Sequence, residues 1–289
     1  MVREIVEYLA PQKGDIVLDA TAGAGGHSEA LLSAAPLRLI ALDADAAAAE
    51  AVRKRLTPFG TRATIVETNF SDASQIVESL GVPRITKALF DLGWNRTQLM
   101  SGRGFSFMAD EPLVMSYSSA PASGFTARDI VNTWSEEVLA DVLFGYGEER
   151  YARRIAKAIV EARRTRPLET TGELVAVISR AVPLPYRHAR LHFATKTFQA
   201  LRIAVNDELR RLERGLRGAW SIIEKGGRIA VISFHSVEDR AVKRIFQEFV
   251  ARGEGRLITK KPLTASAEER AANPSARSAK LRVIEKIIH

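Results

Sequence analysis

Cysteine is absent from all 289 residues. That excludes disulfides, thiolate metal sites and cysteine nucleophiles, and it fits a reducing compartment. No apolar run approaches the roughly 18 residues a membrane-spanning helix needs, so no membrane span is expected. The opening MVREIVEYLAPQKG carries acids where an export signal would carry an apolar core, and a cytoplasmic location is therefore expected. Internal repeats are lacking, as is low-complexity sequence apart from the alanine run at 46–49. His188 and His192 lack the glutamate of a zinc motif and sit in a proline-broken segment, so no metal site is expected.

What is present centres on DATAGAGGHS, residues 19–28. Asp15–Ala20 is a short, mostly apolar run that reads as a buried strand. A turn holding Gly23, Gly25 and Gly26 follows, then SEALLSAA, a helix opened by Ser28. A second strand, LRLIALDAD, ends on Asp43, 20 residues after Gly23. Strand, glycine turn, helix, strand and acidic tip is how a doubly wound sheet holds an adenosine-containing cofactor. The glycines let backbone approach the ligand without a Cβ clash, and the acidic tip accepts hydrogen bonds from ribose hydroxyls. The dinucleotide fingerprint asks for a third glycine where Ser28 stands, which weakens a nicotinamide enzyme without excluding it.

The length suits one large domain, or one domain carrying a second module, and an apolar fraction of 46% supports a substantial core. The net charge of +8 is segregated. Residues 1–150 sum to −7, 151–217 to +9, 218–239 to −1 and 240–289 to +7. An acidic cofactor half beside a basic middle and tail is the footprint of a polyanionic partner, with RNA or DNA as first candidates. Solvated helix faces are the plainer explanation for the same arginines and lysines.

The βα rhythm continues through a helix AAAAEAVRKRL and the strands TIVETNF and KALFDLGW. Asn69 and Asp91 lie at the C-terminal edge of those strands, where ligands sit in open parallel sheets. From Asn95 to about Ser123 no period is clear. Helical patterns follow, with Thr126 and Ser135 as N-caps. In SEEVLADVLFGYG the residues Val138, Leu139, Val142 and Leu143 share a face, and Gly145 ends the helix. EERYARRIAKAIVEARR turns Ile155, Ala158 and Ile159 inward, and TTGELVAVISRAV is a further short helix. A long helix, straight or kinked, is expected from near Ala194 to Lys225, then a strand GGRIAVISFH, a helix SVEDRAVKRIFQEFV, and two closing strands, LITKKPL and AKLRVIEKI. The domain reading is a sheet domain over 1–101 and 198–289 with an all-helical insertion at 102–197.

Two chemistries compete, hydride transfer with a nicotinamide and methyl transfer with S-adenosylmethionine. The closing antiparallel pair favours methyl transfer, because a dinucleotide sheet repeats a second mononucleotide half, and no second glycine turn of the first kind appears. A basic insertion also suits a large polyanionic substrate. Asp91, at the tip of the fourth strand, is the expected catalytic residue. An exocyclic base amine is a poor nucleophile, and an acceptor for its protons lets the nitrogen attack. A helix-capping or ribose-contacting aspartate is the competing role. Methylation at carbon 5 of cytosine needs a cysteine thiolate, so nitrogen or oxygen methylation stays open. His27 beside the glycines is a cofactor contact or a cap, and His235, ending ISFH, is a substrate contact or a hydrogen-bonded core residue.

These segments resemble the RsmH (MraW) family, which methylates N4 of a cytidine in the decoding region of 16S ribosomal RNA using S-adenosylmethionine. The matching blocks are DATAGAGGHS, FDLG, RGFSF, YGEERYARRIAKAIV, TFQALRIAVNDEL, GGRIAVISFHSVEDR and NPSARSAKLR, in the family's order and spanning nearly the whole chain. The resemblance implies a Rossmann-like class I methyltransferase sheet of α/β class with an inserted helical substrate domain. It implies cofactor contacts by Gly25, Gly26, His27, Asp43, Phe70, Asp91 and Gln98, alongside Gly23 of the same turn. It also implies 16S rRNA or the small subunit as partner, and it admits a homodimer. The chain departs from the family at Trp94–Thr97, where Val-Ser-Ser-Pro is usual, and at Val114–Tyr117. It also lacks the family's N-terminal His-x-Pro-Val-Leu, so it is expected to begin short. Trp94 is placed to stack a base, and Asn95 to accept from its amine as a second catalytic residue. The alternative is a diverged member that binds rRNA as an assembly factor, with altered target or no methyl transfer.

Overall fold

The computed structural model of the chain describes residues 1–93, 101–117, 121 and 123–288. Its eight-stranded sheet comprises β1 (Ile16–Asp19), β2 (Arg38–Asp43), β3 (Ala63–Glu67), β4 (Ile85–Asp91), β5 (Ile223–Ser233), β6 (Gly255–Leu257), β7 (Leu263–Thr264) and β8 (Lys280–Lys286). The order is β3-β2-β1-β4-β5-β8-β6, with β7 also pairing β8. Strands β1 to β5 pair in parallel, and β8 runs antiparallel to β5, β6 and β7. The chain forms two compact units, 1–93 with 209–289, and 94–208.

Strand residues alternate between two apolar layers. Leu18, Ile40, Leu42 and Phe90 join one cluster, and their neighbours Val17, Leu39, Ala41 and Leu89 join the other. A strand buried on both faces has no polar side to show, which is why these runs read as continuously apolar. On the second face lie α1 (Val2–Leu9), α2 (Gly26–Ala34) and α3 (Ala46–Leu56), through Ile5, Leu31 and Val52. On the first lie α4 (Ala73–Ser79), α11 (Glu208–Ile222) and α12 (Ser236–Ala251), through Val77, Leu216 and Phe246. Each such fully buried side chain contributes about 1.5–3 kcal/mol, as an upper estimate.

The closing strands differ from the sequence expectation. LITKKPL is not one strand: β6 ends at Leu257, past which Ile258 N and Thr259 N both donate to Val283 O, and β7 begins at Leu263, after Pro262, which has no N–H to give a ladder. The loop before β8 carries α13 (Ala267–Ala272). β8 is tied to the start of α12 by a buried pair, Arg282 Nε to Asp239 Oδ1 at 2.7 Å, with Lys280 Nζ at 3.3 Å from Oδ2. Burial alone would raise the Asp239 carboxyl, but Arg282 and Lys280 outweigh it and hold it below the ordinary value. Removing one partner of such a pair costs about 3–5 kcal/mol.

The second unit is all helical where named elements occur: α5 (Ala127–Thr133), α6 (Glu136–Gly147), α7 (Ala152–Thr165), α8 (Thr171–Ala181), α9 (Leu184–Arg187) and α10 (Thr195–Asn206). Thr126 caps α5 in a capping box with Asp129, and Ser135 caps α6. In α6 the buried face is Leu139, Ala140 and Leu143, whereas Val138 is exposed, and the helix passes Gly145 to end at Gly147. In α7 the inward residues are Ile155, Ala156 and Ile159, with Ala158 only half-buried. The unit is longer at both ends than the insertion expected from sequence. Phe198, Leu201 and Val205 of α10 are buried in the helical core, so that helix belongs here and not to the sheet. The long helix expected from Ala194 to Lys225, with a kink allowed, is two helices divided at Asp207, which adopts φ 49 between α10 and α11. Near that break, Asn206 fixes the preceding irregular segment: its Oδ1 accepts from Tyr117 N at 2.9 Å, and its Nδ2 donates to Met115 O at 2.8 Å.

Candidate active site

In an open parallel sheet the crevice lies at the C-terminal strand ends where the order reverses, here between β1 and β4. β1 delivers Asp19 to that edge and then turns through the glycines. Gly23 and Gly25 both adopt positive φ, 54° and 78°, a region L side chains rarely occupy. Gly25 is the N-cap of α2, so the first free N–H groups of that helix face the turn. Ser28 therefore does not open the helix as expected. A Cβ on Gly25 would lie 3.2 Å from Arg55 Cδ. The Arg55 guanidinium clasps the turn, donating to Ala24 O at 3.1 Å and to Glu29 Oε2 at 2.8 Å.

Three aspartates converge on this edge. Asp43, at the tip of β2, accepts from Gly23 N at 2.8 Å through Oδ2 and from Asp45 N at 2.9 Å through Oδ1. Burial pushes its carboxyl above the ordinary value against those two donors. Each carboxylate oxygen can take two donors, so capacity for a ribose hydroxyl remains. Asp19 is fully buried and accepts from Ser28 Oγ at 2.6 Å and from Thr21 N at 3.2 Å. Burial raises its carboxyl, opposed by the Ser28 hydrogen bond. Thr21 in turn accepts from Asp91 N at 2.6 Å, which ties the tip of β4 to the glycine turn.

Asp91 lies 3.4 Å through Oδ2 from His27 Nε2, with its side chain 26% exposed. His27 stands in the first turn of α2, after the Gly25 cap, so capping is not its role. Its Nδ1 is buried and has no hydrogen-bond partner among the described residues. Phe70, following the Asn69 cap, meets Phe90 edge-on at 5.8 Å and so sits beside the strand that ends in Asp91. On the other side of Asp91, Gly93 is crossed by Phe234: a Cβ there would lie 2.7 Å from the ring.

Of the residues expected at the site, Gly23, Gly25, Gly26, His27, Asp43, Phe70 and Asp91 lie on this edge or in the turns that form it. Asn95 and Gln98 lie outside the described residues, as does Trp94. His235 is neither a free substrate contact nor plain core: its Nδ1 accepts from Glu238 N, capping α12. His192 stacks on Phe107 at 4.5 Å, and burial lowers its imidazole. Sequence reasoning gave no role to Asp19, Thr21 or Phe234, and it read Ser28 as opening the helix, not as a donor to Asp19. The only available signal was an Asp at a strand end followed by Thr and Ser on either side of the glycines.

The sequence matches the profile of the MraW methylase family over residues 1–287. The chain belongs to that family. It is 44% identical over 286 residues to a ribosomal RNA small subunit methyltransferase H from Persephonella marina, covering 99% of this chain and 97% of that one. It is 47% identical to the protein of the same name from Geobacter sp. strain M21, over 98% of this chain and 96% of that one. Among solved structures, an rRNA methylase from Streptococcus thermophilus shares 13% identity at a TM-score of 0.43, over 99% of this chain and 93% of that one. Membership of that family, with relatives at this identity, makes the chain a methyltransferase with S-adenosylmethionine as its methyl donor.

The residues fit that donor. A turn with two left-handed glycines and the free N–H groups of α2 leaves room and donors at the crevice. The Asp43 carboxylate at the β2 tip keeps acceptor capacity of the kind ribose hydroxyls need, and the unpartnered His27 Nδ1 offers a buried polar atom to a ligand.

Proposed function

We propose that the chain methylates N4 of a cytidine in the decoding region of 16S rRNA, within the cytoplasm. The observation that carries the chemistry is Asp91, held at the β4 tip by Thr21 and placed beside His27 and the glycine turn. The names of its relatives carry the substrate class. When bound, S-adenosylmethionine supplies an electrophilic methyl group on a sulfonium. Gly23, Gly25, Gly26 and Asp43 would hold its adenosine, with Phe70 as an apolar neighbour. Asp91 accepts a hydrogen bond from the exocyclic amine and takes its proton as the nitrogen lone pair forms the new N–C bond to the methyl group, whose bond to sulfur breaks so that a neutral thioether leaves. Asn95 supplies a second acceptor, and Gln98 a further polar contact to the donor. No thiolate is needed, in keeping with a chain that has no cysteine.

The helical unit, with its basic α7 to α10 segment, serves as the substrate-recognition module. The substrate is 16S rRNA, free or in the small subunit, and two copies of the chain associate. No helix among the described residues is long and apolar enough to cross a membrane.

The test is transfer of tritiated methyl to small subunits from a strain lacking this protein, followed by mass spectrometry of the labelled RNA. Label on the N4 atom of one decoding-region cytidine is the expected result. RNA binding with no incorporation would mark an assembly factor instead.

A further inference from the structure

We propose that the groove between α7 and α8 seats a run of RNA phosphodiester backbone. The inference rests on the reading of the chain as an rRNA methyltransferase and adds where on the helical unit the strand lies. The groove has a volume of about 610 Å³. Arg154 and Lys157 of α7 and Arg180 of α8 line it, Glu161 is its one acid, and Ala158 and Val177 are among its small apolar lining. Such a surface offers cations at the rim and room between them, which is what a linear polyanion requires. Among the described residues Arg154 and Arg180 pair with no carboxylate, and Lys157 has only a 3.8 Å contact to exposed Glu161. A pair that exposed contributes about 1 kcal/mol or less, so a phosphate displaces it readily.

A second feature extends the groove. The Arg150 guanidinium lies 4.8 Å from the rings of both Tyr151 and Tyr186, and Arg154 lies 5.7 Å from the same Tyr151 ring. Glu149, which is fully buried, fixes the Tyr186 ring by its hydroxyl and the backbone of Tyr151. Its Oε2 accepts from Tyr186 Oη at 2.7 Å and its Oε1 from Tyr151 N at 2.9 Å. Burial and the carboxylate push the Tyr186 hydroxyl up, so it remains a donor. Arg150 is thus held in place while its edge stays exposed. Less side-chain freedom is lost when it meets a phosphate. Arg154 and Lys157 lie about one helical turn apart on α7, near 5.4 Å, and Arg150 precedes that helix, joined to Arg154 through the Tyr151 ring. Glu149 and Arg150 belong to the YGEER block, whose roles the sheet-edge chemistry leaves unassigned.

The test uses the full chain and a short single-stranded RNA carrying fluorescein, titrated by fluorescence anisotropy at several salt concentrations. Every phosphate that the protein no longer neutralises flattens the plot of log K against log salt by about 0.7. The triple variant Arg154→Ala, Lys157→Ala, Arg180→Ala is expected to lower the slope by about 2 and to weaken binding roughly 100-fold at 0.1 M salt. Calorimetric S-adenosylmethionine affinity and far-ultraviolet circular dichroism should stay at wild-type values. Should the triple variant lose helicity, Arg180→Gln alone is expected to flatten the slope by about 0.7, and Arg180→Lys to restore most of it. Wild-type affinity and slope in a folded variant would overturn the groove while leaving the methyltransferase reading intact, provided the wild type still labels small subunits. A wild type that neither labels subunits nor binds RNA in a salt-dependent way would overturn both. Competition by polyglutamate but not by unlabelled RNA would assign the groove to an acidic protein and refute the proposal.

Discussion

Asp91→Asn is the substitution that isolates the proposed chemistry. The side chains have one shape, and the asparagine oxygen can still accept from Gly93 N, which now lies 3.4 Å from Asp91 Oδ1. The backbone bond from Asp91 N to Thr21 Oγ1 is untouched, so the β4 tip stays in place. What is lost is the carboxylate facing His27 and its ability to take a proton. A positioned base contributes about 10²–10⁴ in rate, equivalent to roughly 2.7–5.5 kcal/mol in the barrier. The effect on folding is much smaller: the pair is long at 3.4 Å and a quarter exposed, so about 1 kcal/mol or less is at stake. Single-turnover transfer of tritiated methyl to unmodified small subunits measures the chemical step, and calorimetry measures donor affinity separately. The expected outcome is a 10²–10⁴-fold fall in rate with donor affinity changed less than about tenfold. A wild-type single-turnover rate in the variant would show that the amine proton goes elsewhere. A large loss of donor affinity with the rate preserved at saturation would reduce Asp91 to a cofactor contact.

Two further outcomes follow from the packing around the same edge. Gly215 of α11 touches Phe70 so closely that an added Cβ would lie 2.7 Å from Phe70 Cδ2 and 3.0 Å from Phe70 O. Gly215→Ala should therefore cost about 1–3 kcal/mol in urea denaturation and weaken donor binding several-fold by calorimetry, although residue 215 is not proposed to touch the donor; unchanged affinity would remove Phe70 from the pocket. Asp19 has a raised carboxyl, so folding takes up a proton there between its ordinary pKa of 3.8 and the raised folded value. Its charged form costs stability at higher pH, and wild-type stability relative to Asp19→Asn should fall as pH rises from about 3.8 and then level off above the folded value. Denaturation of both proteins across that range checks the sign, and a flat difference would mean that Asp19 titrates normally.

The cofactor half was legible because its signals are local. A strand, a glycine turn and an acidic tip all lie within 15–43, and each element depends on a backbone need that a sequence displays: positive φ at Gly23 and Gly25, and apolar residues on both faces of a parallel strand. Asp19 was not legible as more than a strand end. Its importance comes from Ser28, nine residues on, and from Thr21, which bonds the tip of β4 about 70 residues away. The place of the kink allowed in the helix from Ala194 was not legible for a different reason: aspartate enters the left-handed region more readily than most residues without requiring it, so nothing local singles out Asp207. Net charge was the least faithful signal. The +9 of residues 151–217 counts Arg163, which donates to Val131 O, and Arg202, which is held by Glu208, together with the arginines of α11 that pair with acids of their own unit. Cations committed to internal partners are not available to a phosphate. The sum therefore indicates a polyanion partner without locating it, and the location follows only when the turn of α7 brings Arg154 and Lys157 to one edge opposite Arg180.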